Sequence, residues 1–189
     1  MLIIGITGTL GAGKGTIVNY LVKQKGFLHF SARKFLIQKM KEKGMEITTK
    51  NMTFLGNHLR AEHSPSYIAE TLYQKAQKNG RNCVIESLRT PREVEALRKK
   101  GKFILFAVDA PAQLRYQRII ARGEEGDKES IKELMEIEKQ QMHSTDPNKH
   151  NLQKCIEMAD YIFINDGTIE DLNQKVETAL KLALQGETL

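Results

Sequence analysis

Between residues 8 and 16 the chain reads Gly8-Thr9-Leu10-Gly11-Ala12-Gly13-Lys14-Gly15-Thr16. Gly8, Gly13 and Lys14 stand at the spacing glycine, four residues, glycine, lysine, which is that of a P-loop. Each residue type has its own reason to be there. Glycines let the backbone curl until successive N–H groups point inward at phosphate oxygens. A helix starting just beyond adds its positive end, and Lys14 brings a mobile charge to the β and γ phosphates. Gly11, Ala12, Gly13, Lys14, Gly15 and Thr16 are therefore the candidate ATP-binding residues. In many such loops a magnesium-binding hydroxyl follows the lysine; here Gly15 takes that place and Thr16 comes one later.

Two further groups could act beside this loop. Val84-Ile85-Glu86-Ser87-Leu88-Arg89 closes an apolar run with an acid and, three residues on, an arginine. A carboxylate at the C-terminal end of a parallel strand faces the crevice where such folds bind ligands, which makes Glu86 a candidate to organise a metal. An ion pair at a strand end would also put an acid there. Arg89 offers a planar fork of donors suited to phosphate. Arg115, Arg118 and Arg122, spaced by three and four, share one helical face. They read either as a phosphate-facing row or as a solvated basic surface.

These side chains need elements to position them. Short apolar runs recur at Leu2–Ile6, Phe27–Phe30, Asn82–Ile85, Phe103–Val108 and Tyr161–Ile164. Their nearly continuous hydrophobicity predicts strands of a parallel sheet covered on both faces. A helix is expected from Gly15 to Lys23. Ser64-Pro65 predicts a capping hydroxyl followed by proline in a first helical turn. Thr90-Pro91-Arg92-Glu93 repeats that pattern with a capping-box glutamate, and Thr168 with Glu170 and Asp171 opens the last helix. Strand–helix alternation from end to end predicts an α/β fold, a five-stranded parallel sheet flanked by helices, as a single domain over residues 1–189. Residues 123–151 stand apart: they are polar, with a helix-like stretch from Lys128 to Met142. They read as a helical lid-like insertion or as a solvated surface helix and loop.

Bulk properties narrow the function. The chain has 189 residues, 40% of them hydrophobic and 28% charged, and a net charge of +6. This suits one globular domain and a phosphate-rich partner. Aromatic residues make up only 6% and do not interleave with the basic ones, so a single-strand stacking platform is not indicated. No nucleic-acid partner is expected. Cys83 and Cys155 form no metal-type spacing and no disulfide framework, and Cys83 reads as a buried small hydrophobe. The apolar start is too short for a membrane span, so no membrane partner and a cytoplasmic location are expected.

The P-loop, the Glu86–Arg89 segment, the arginine row and Ile164-Asn165-Asp166-Gly167-Thr168 together resemble the adenylate kinase branch of nucleoside monophosphate kinases. Within it they are most similar to archaeal-type nucleotide kinases, which are related in turn to dephospho-coenzyme A kinase. The likeness spans nearly the whole chain. It implies a P-loop NTPase fold and transfer of the terminal phosphoryl group of ATP, with Mg2+, to a phosphate-bearing small molecule, a nucleoside monophosphate. Asn148-Lys149-His150-Asn151 lacks the aspartate that a guanine-specific GTPase would carry.

By this resemblance Lys14, Arg89 and Arg122 are catalytic, Arg118 and Arg122 meet the adenine ring and phosphates of ATP, and Gly167 and Thr168 border the adenine. A plain turn with a threonine cap accounts for the last two equally well. Glu86, where the family has aspartate, would hold magnesium, with Thr16 as a second candidate. Acceptor-binding helices are expected within residues 31–80, with Ser31, Arg33, Arg60 and Arg89 as acceptor contacts. Lys34 stands at the family's usual aspartate and Ile37 near its usual arginine, so these contacts are rearranged. His58 and His63 are expected to face solvent. Ala159-Asp160-Tyr161-Ile162 through Leu172 is similar to dephospho-coenzyme A kinase, the first alternative, although a hydroxyl acceptor would need a carboxylate base where Lys34 stands. A non-catalytic ATP-binding regulator and an RNA-associated ATPase are the others.

Overall fold

The computed structural model describes residues 1–123 and 130–185. The apolar runs form β1 (Ile3–Gly8), β2 (Leu28–Ser31), β3 (Cys83–Glu86), β4 (Phe103–Asp109) and β5 (Tyr161–Ile164) of one sheet, ordered β2-β3-β1-β4-β5. All neighbouring strands are parallel. Strands β1 to β4 run one or two residues beyond the end that hydrophobicity predicts. The added residues, including Gly8, Ser31, Glu86 and Asp109, are small or polar and so carry no hydrophobic signal.

Helices α1 (Lys14–Lys25), α2 (Ala32–Glu42), α3 (Thr49–Glu62), α4 (Tyr67–Gln77), α5 (Pro91–Arg98), α6 (Ala112–Arg122), α7 (Ile131–Met142), α8 (Leu152–Glu157) and α9 (Ile169–Gln185) complete the chain. Successive strand residues alternate between faces, and so Ile3 and Ile4 enter different cores. On one face Ile3, Ile85 and Leu105 pack with Leu36, Leu55, Leu72 and Leu97 from α2 to α5. On the other, Ile4, Ile6 and Phe106 pack with Ile17 and Leu21 of α1 and Leu172 and Val176 of α9. Full cover fails only at the β5 edge, where Ile162 and Ile164 remain 54% and 48% exposed. Both cysteines are buried and free; burial pushes their thiols up to about 11 for Cys83 and about 12 for Cys155.

Of the three caps the sequence predicts, those at Thr90 and Thr168 form and the one at Ser64 does not. Thr90 and Glu93 form a capping box on α5. Ser130 and Glu133 form another on α7, so the predicted helix begins at Ile131, and Lys128 lies outside the described residues. Thr168 and Asp171 bond reciprocally ahead of α9. Ser64 is the exception. Helix α4 starts at Tyr67, and Ser64-Pro65 instead forms the turn out of α3, the Ser64 carbonyl accepting from Tyr67 N at 3.0 Å.

Strand β1 lies at the centre, with β3 on one side and β4 on the other. The chain therefore reverses its direction of winding beside β1, and a crevice opens at the C-terminal strand ends. That edge carries the P-loop.

Candidate active site

The P-loop leaves β1 through Gly8, whose φ of 134° belongs to glycine and whose added Cβ would lie 2.0 Å from the Val108 carbonyl. Its carbonyls are held from outside by side chains. Arg89 Nη1 donates to Gly8 O at 3.1 Å, Arg115 Nη1 to Leu10 O at 3.0 Å, and Asn165 Nδ2 to Ala12 O at 2.8 Å. Thr9 Oγ1 donates to Asp109 Oδ1 at 2.5 Å. Gly13 caps α1 with no side-chain bond to the first turn, so the helix presents bare amides and its positive end to the crevice. Lys14 folds over the loop, with Nζ 3.0 Å from Gly8 O and 2.6 Å from Thr9 O. Burial, seconded by Arg89, drives its pKa well below the ordinary lysine value; Glu86 works the other way.

At the end of β3, Glu86 faces the same crevice. Its Oε2 lies 3.0 Å from Nε2 of His29 on β2. Burial works to raise its pKa, but the bond and charge of His29, with Lys14 and Arg89, outweigh it and hold the carboxyl below its usual range. Ser87 follows at φ 71°, the only positive φ of a non-glycine residue among those described, and turns the chain toward Arg89. Glu93 then does two jobs. Its Oε2 accepts from the backbone N–H of Arg89 at 2.8 Å and of Thr90 at 3.1 Å, and its Oε1 accepts from Arg60 Nε at 3.0 Å and Nη2 at 2.9 Å.

The arginine row divides. Arg115 is buried, paired with Glu138 of α7 and bonded to the Ala110 carbonyl at 2.8 Å. It ties the loop, the end of β4 and α7 together and does not belong to a solvated face. Arg118 Nη1 donates to the Asn165 carbonyl at 3.1 Å. Arg122 is exposed in the last turn of α6, and its charge reaches Lys14. Gly167 lines a shallow hollow with Asp166, Asp171 and Lys175, while the Thr168 hydroxyl is engaged with Asp171. Gly15 is exposed, and Thr16 occupies the first turn of α1.

On the other side of the loop a cavity brings together Arg33, Arg60 and Arg89 against an apolar wall of Leu10, Leu36 and Met52. Ser31 is not among its lining residues; its side chain caps α2, accepting from Lys34 N at 3.3 Å. Lys34 is exposed. His58 and His63 face solvent, with 57% and 43% of their side chains exposed. Residues 130–151 close over the cavity: besides the Arg115–Glu138 pair, Gln141 reaches Thr53, and Asn151 N donates to the Arg89 carbonyl at 2.9 Å.

His29, Asp109, Glu93, Gln141, His150 and Asn165 complete the site without having been legible as parts of it. Asn165 stood in a segment already singled out for the site, while Glu93, Gln141 and His150 stood in segments read for other reasons.

His150 lines the cavity with its Nδ1 buried and without a partner among the described residues. Burial, then the charges of Arg60 and Arg89, hold its pKa well below 6.5. A histidine kept neutral in the folded state favours folding above its unfolded pKa, and that contribution is lost as pH falls from about 6.5 toward the folded value. Stability from denaturant melts should fall by about 1.4 kcal/mol per pH unit in that window. His150→Gln should flatten the slope; an unchanged slope would remove His150 as its cause.

This sheet order and the glycine-rich loop between β1 and α1 define a P-loop α/β fold. Residues 4–143 match the family model described as an AAA domain, and the chain belongs to that family. It is similar to the UPF0200 proteins of Sulfurisphaera tokodaii, at 29% identity over 96% of this chain and 97% of that protein. The match to that of Thermococcus gammatolerans is 28% over 98% and 97%. Among solved structures it resembles a gluconokinase from Sinorhizobium meliloti 1021 (TM-score 0.63, 10% identity, 97% of this chain and 94% of that one). It also resembles shikimate kinase from Aquifex aeolicus (TM-score 0.56, 13% identity, 98% and 99%). At such identities the likeness is one of fold. No described helix is long and apolar enough to cross a membrane.

Proposed function

We propose that this protein transfers the γ-phosphoryl group of ATP to the phosphate of a nucleoside monophosphate, giving two diphosphates. The observation that carries the reading is the cavity beside the P-loop: three arginines, an apolar wall, and no carboxylate among its described lining residues. Arginine forks bind phosphate bidentately, and an apolar wall suits a base. A phosphate oxygen is already ionised, so it attacks the γ-phosphorus without a general base while the bond to the β-phosphate oxygen breaks. The chain's task is alignment and charge neutralisation. Lys14 and the amides of the loop hold the triphosphate, Arg33, Arg60 and Arg89 align the acceptor, and Arg118 and Arg122 approach ATP from α6.

The donor set fits magnesium. Glu86 is kept ionised by His29 and Lys14, and Thr16 offers a hydroxyl in the first turn of α1; Mg2+ takes few protein oxygens and completes its shell with water and phosphate. When bound it supplies charge neutralisation at the phosphates. The 130–151 cover, lid-like in this reading, excludes water and so limits ATP hydrolysis.

ADP release from ATP, measured against a panel of monophosphates and dephospho-coenzyme A, tests the reading. Acceptor-dependent turnover with a monophosphate is expected. Hydrolysis indifferent to acceptor, or stimulated only by RNA, would replace the kinase with an ATPase; binding without turnover, with a regulator; and turnover of dephospho-coenzyme A alone, with a hydroxyl kinase. Arg89→Ala should lower kcat/KM for the acceptor by roughly a hundredfold or more, and a change under threefold would exclude Arg89 from the acceptor site.

A further inference from the structure

Gln141 lies on α7, in the cover over the acceptor cavity, and is only 3% exposed. Its amide orientation is dictated by a relay. Thr53 Oγ1 gives its one proton to the Thr49 carbonyl at 3.0 Å. Toward Gln141 that hydroxyl can therefore only accept, and it receives Nε2 at 2.9 Å. With the Thr53 proton on the Thr49 carbonyl, flipping the amide would set two acceptors face to face, so the relay directs the nitrogen to Thr53 and leaves Oε1 without a protein donor among the described residues. That oxygen is buried. An unmet buried carbonyl oxygen is expensive, and here it belongs to a residue that lines a cavity already furnished with cations for an anionic ligand.

We infer that Gln141 reads the acceptor: its fixed Oε1 accepts a hydrogen bond from an amino group on the acceptor's base, selecting adenine or cytosine nucleotides over their oxo counterparts. The inference rests on the monophosphate reading above and adds a specificity residue to it. An amino group donates where the oxo group can only accept, so the oxo analogue leaves two buried oxygens opposed. Sites built to satisfy a hydrogen bond reject the analogue that lacks it far more strongly than apolar pockets discriminate size. The arginines grip the phosphate common to all acceptors and are blind to the base, which leaves this choice to the cover.

The experiment uses matched pairs that differ at this one group: AMP against IMP, and CMP against UMP. In the full-length protein the amino member of at least one pair should be preferred by roughly tenfold or more in kcat/KM. Gln141→Leu should bring the two members of that pair together, mainly through KM of the amino member. Thr53→Val, which frees the amide to turn, should narrow the gap without closing it. Equal use of both members by the parent protein, or a preference that survives Gln141→Leu, would overturn the assignment while leaving the kinase reading intact. If no monophosphate is turned over, the kinase reading fails and calorimetric binding decides about Gln141. Tighter AMP than IMP binding that Gln141→Leu abolishes supports its role; equal binding, or none, overturns it.

Discussion

Lys14→Met should lower phosphoryl transfer by roughly three orders of magnitude or more while leaving the melting temperature unchanged or raised. The two halves of this result have one cause. The Lys14 ammonium is buried, its pKa is driven down chiefly by that burial, and Arg89, Arg122 and Arg115 add repulsion. Its bonds go to two loop carbonyls, and against these arginines stands the opposing charge of Glu86. Such a charge is costly to hold, and methionine fills a similar volume without it. On the proposed function, the anions of the triphosphate offset that cost. Single-turnover measurements and thermal melts of the same preparations check the pair. Near-parental turnover would remove Lys14 from the chemistry, and a large loss of stability would make it a structural residue.

Glu93→Ala should be the most destabilising single change in the site, by about 3–5 kcal/mol, or on the order of 10 °C in a domain of this size. The carboxylate is 1% exposed, and the Arg60 side chain it holds is equally buried. Removing the acid strands the guanidinium in the core and frees two backbone N–H groups at the start of α5. The double change Arg60→Met with Glu93→Gln should recover much of that stability, since replacing both charges is far gentler than orphaning one. It should not recover acceptor affinity, because Arg60 lines the cavity. Chemical denaturation and acceptor titration separate the two effects. A loss below 1 kcal/mol in Glu93→Ala would refute the claim that this pair anchors the site.

Some of this was legible beforehand and some was not, for physical reasons. Strands buried on both faces announce themselves by unbroken hydrophobicity, and the P-loop by residues adjacent in sequence. Strand ends were underestimated because Gly8, Ser31, Glu86 and Asp109 are small or polar and carry no hydrophobic signal. Ser64 misled because a serine followed by proline suits a turn as well as a cap. Glu93 was read correctly as a capping residue, but nothing local shows that its second oxygen waits for an arginine 33 positions earlier. Arg115 looked like its neighbours Arg118 and Arg122, and only its partner Glu138 separates them. The cavity beside the P-loop gathers residues from positions 10 to 150, and no window of sequence contains it.

The anchoring of the P-loop carries a consequence for the order of events during synthesis. Arg89, Arg115 and Asn165 reach the loop across 81, 105 and 153 residues. The glycine-rich segment is thus synthesised well before the residues that brace it. A nascent chain whose residue 165 has not yet left the ribosome holds the glycine-rich stretch but not its scaffolding, and on the proposed function retention of ATP would mark completed folding.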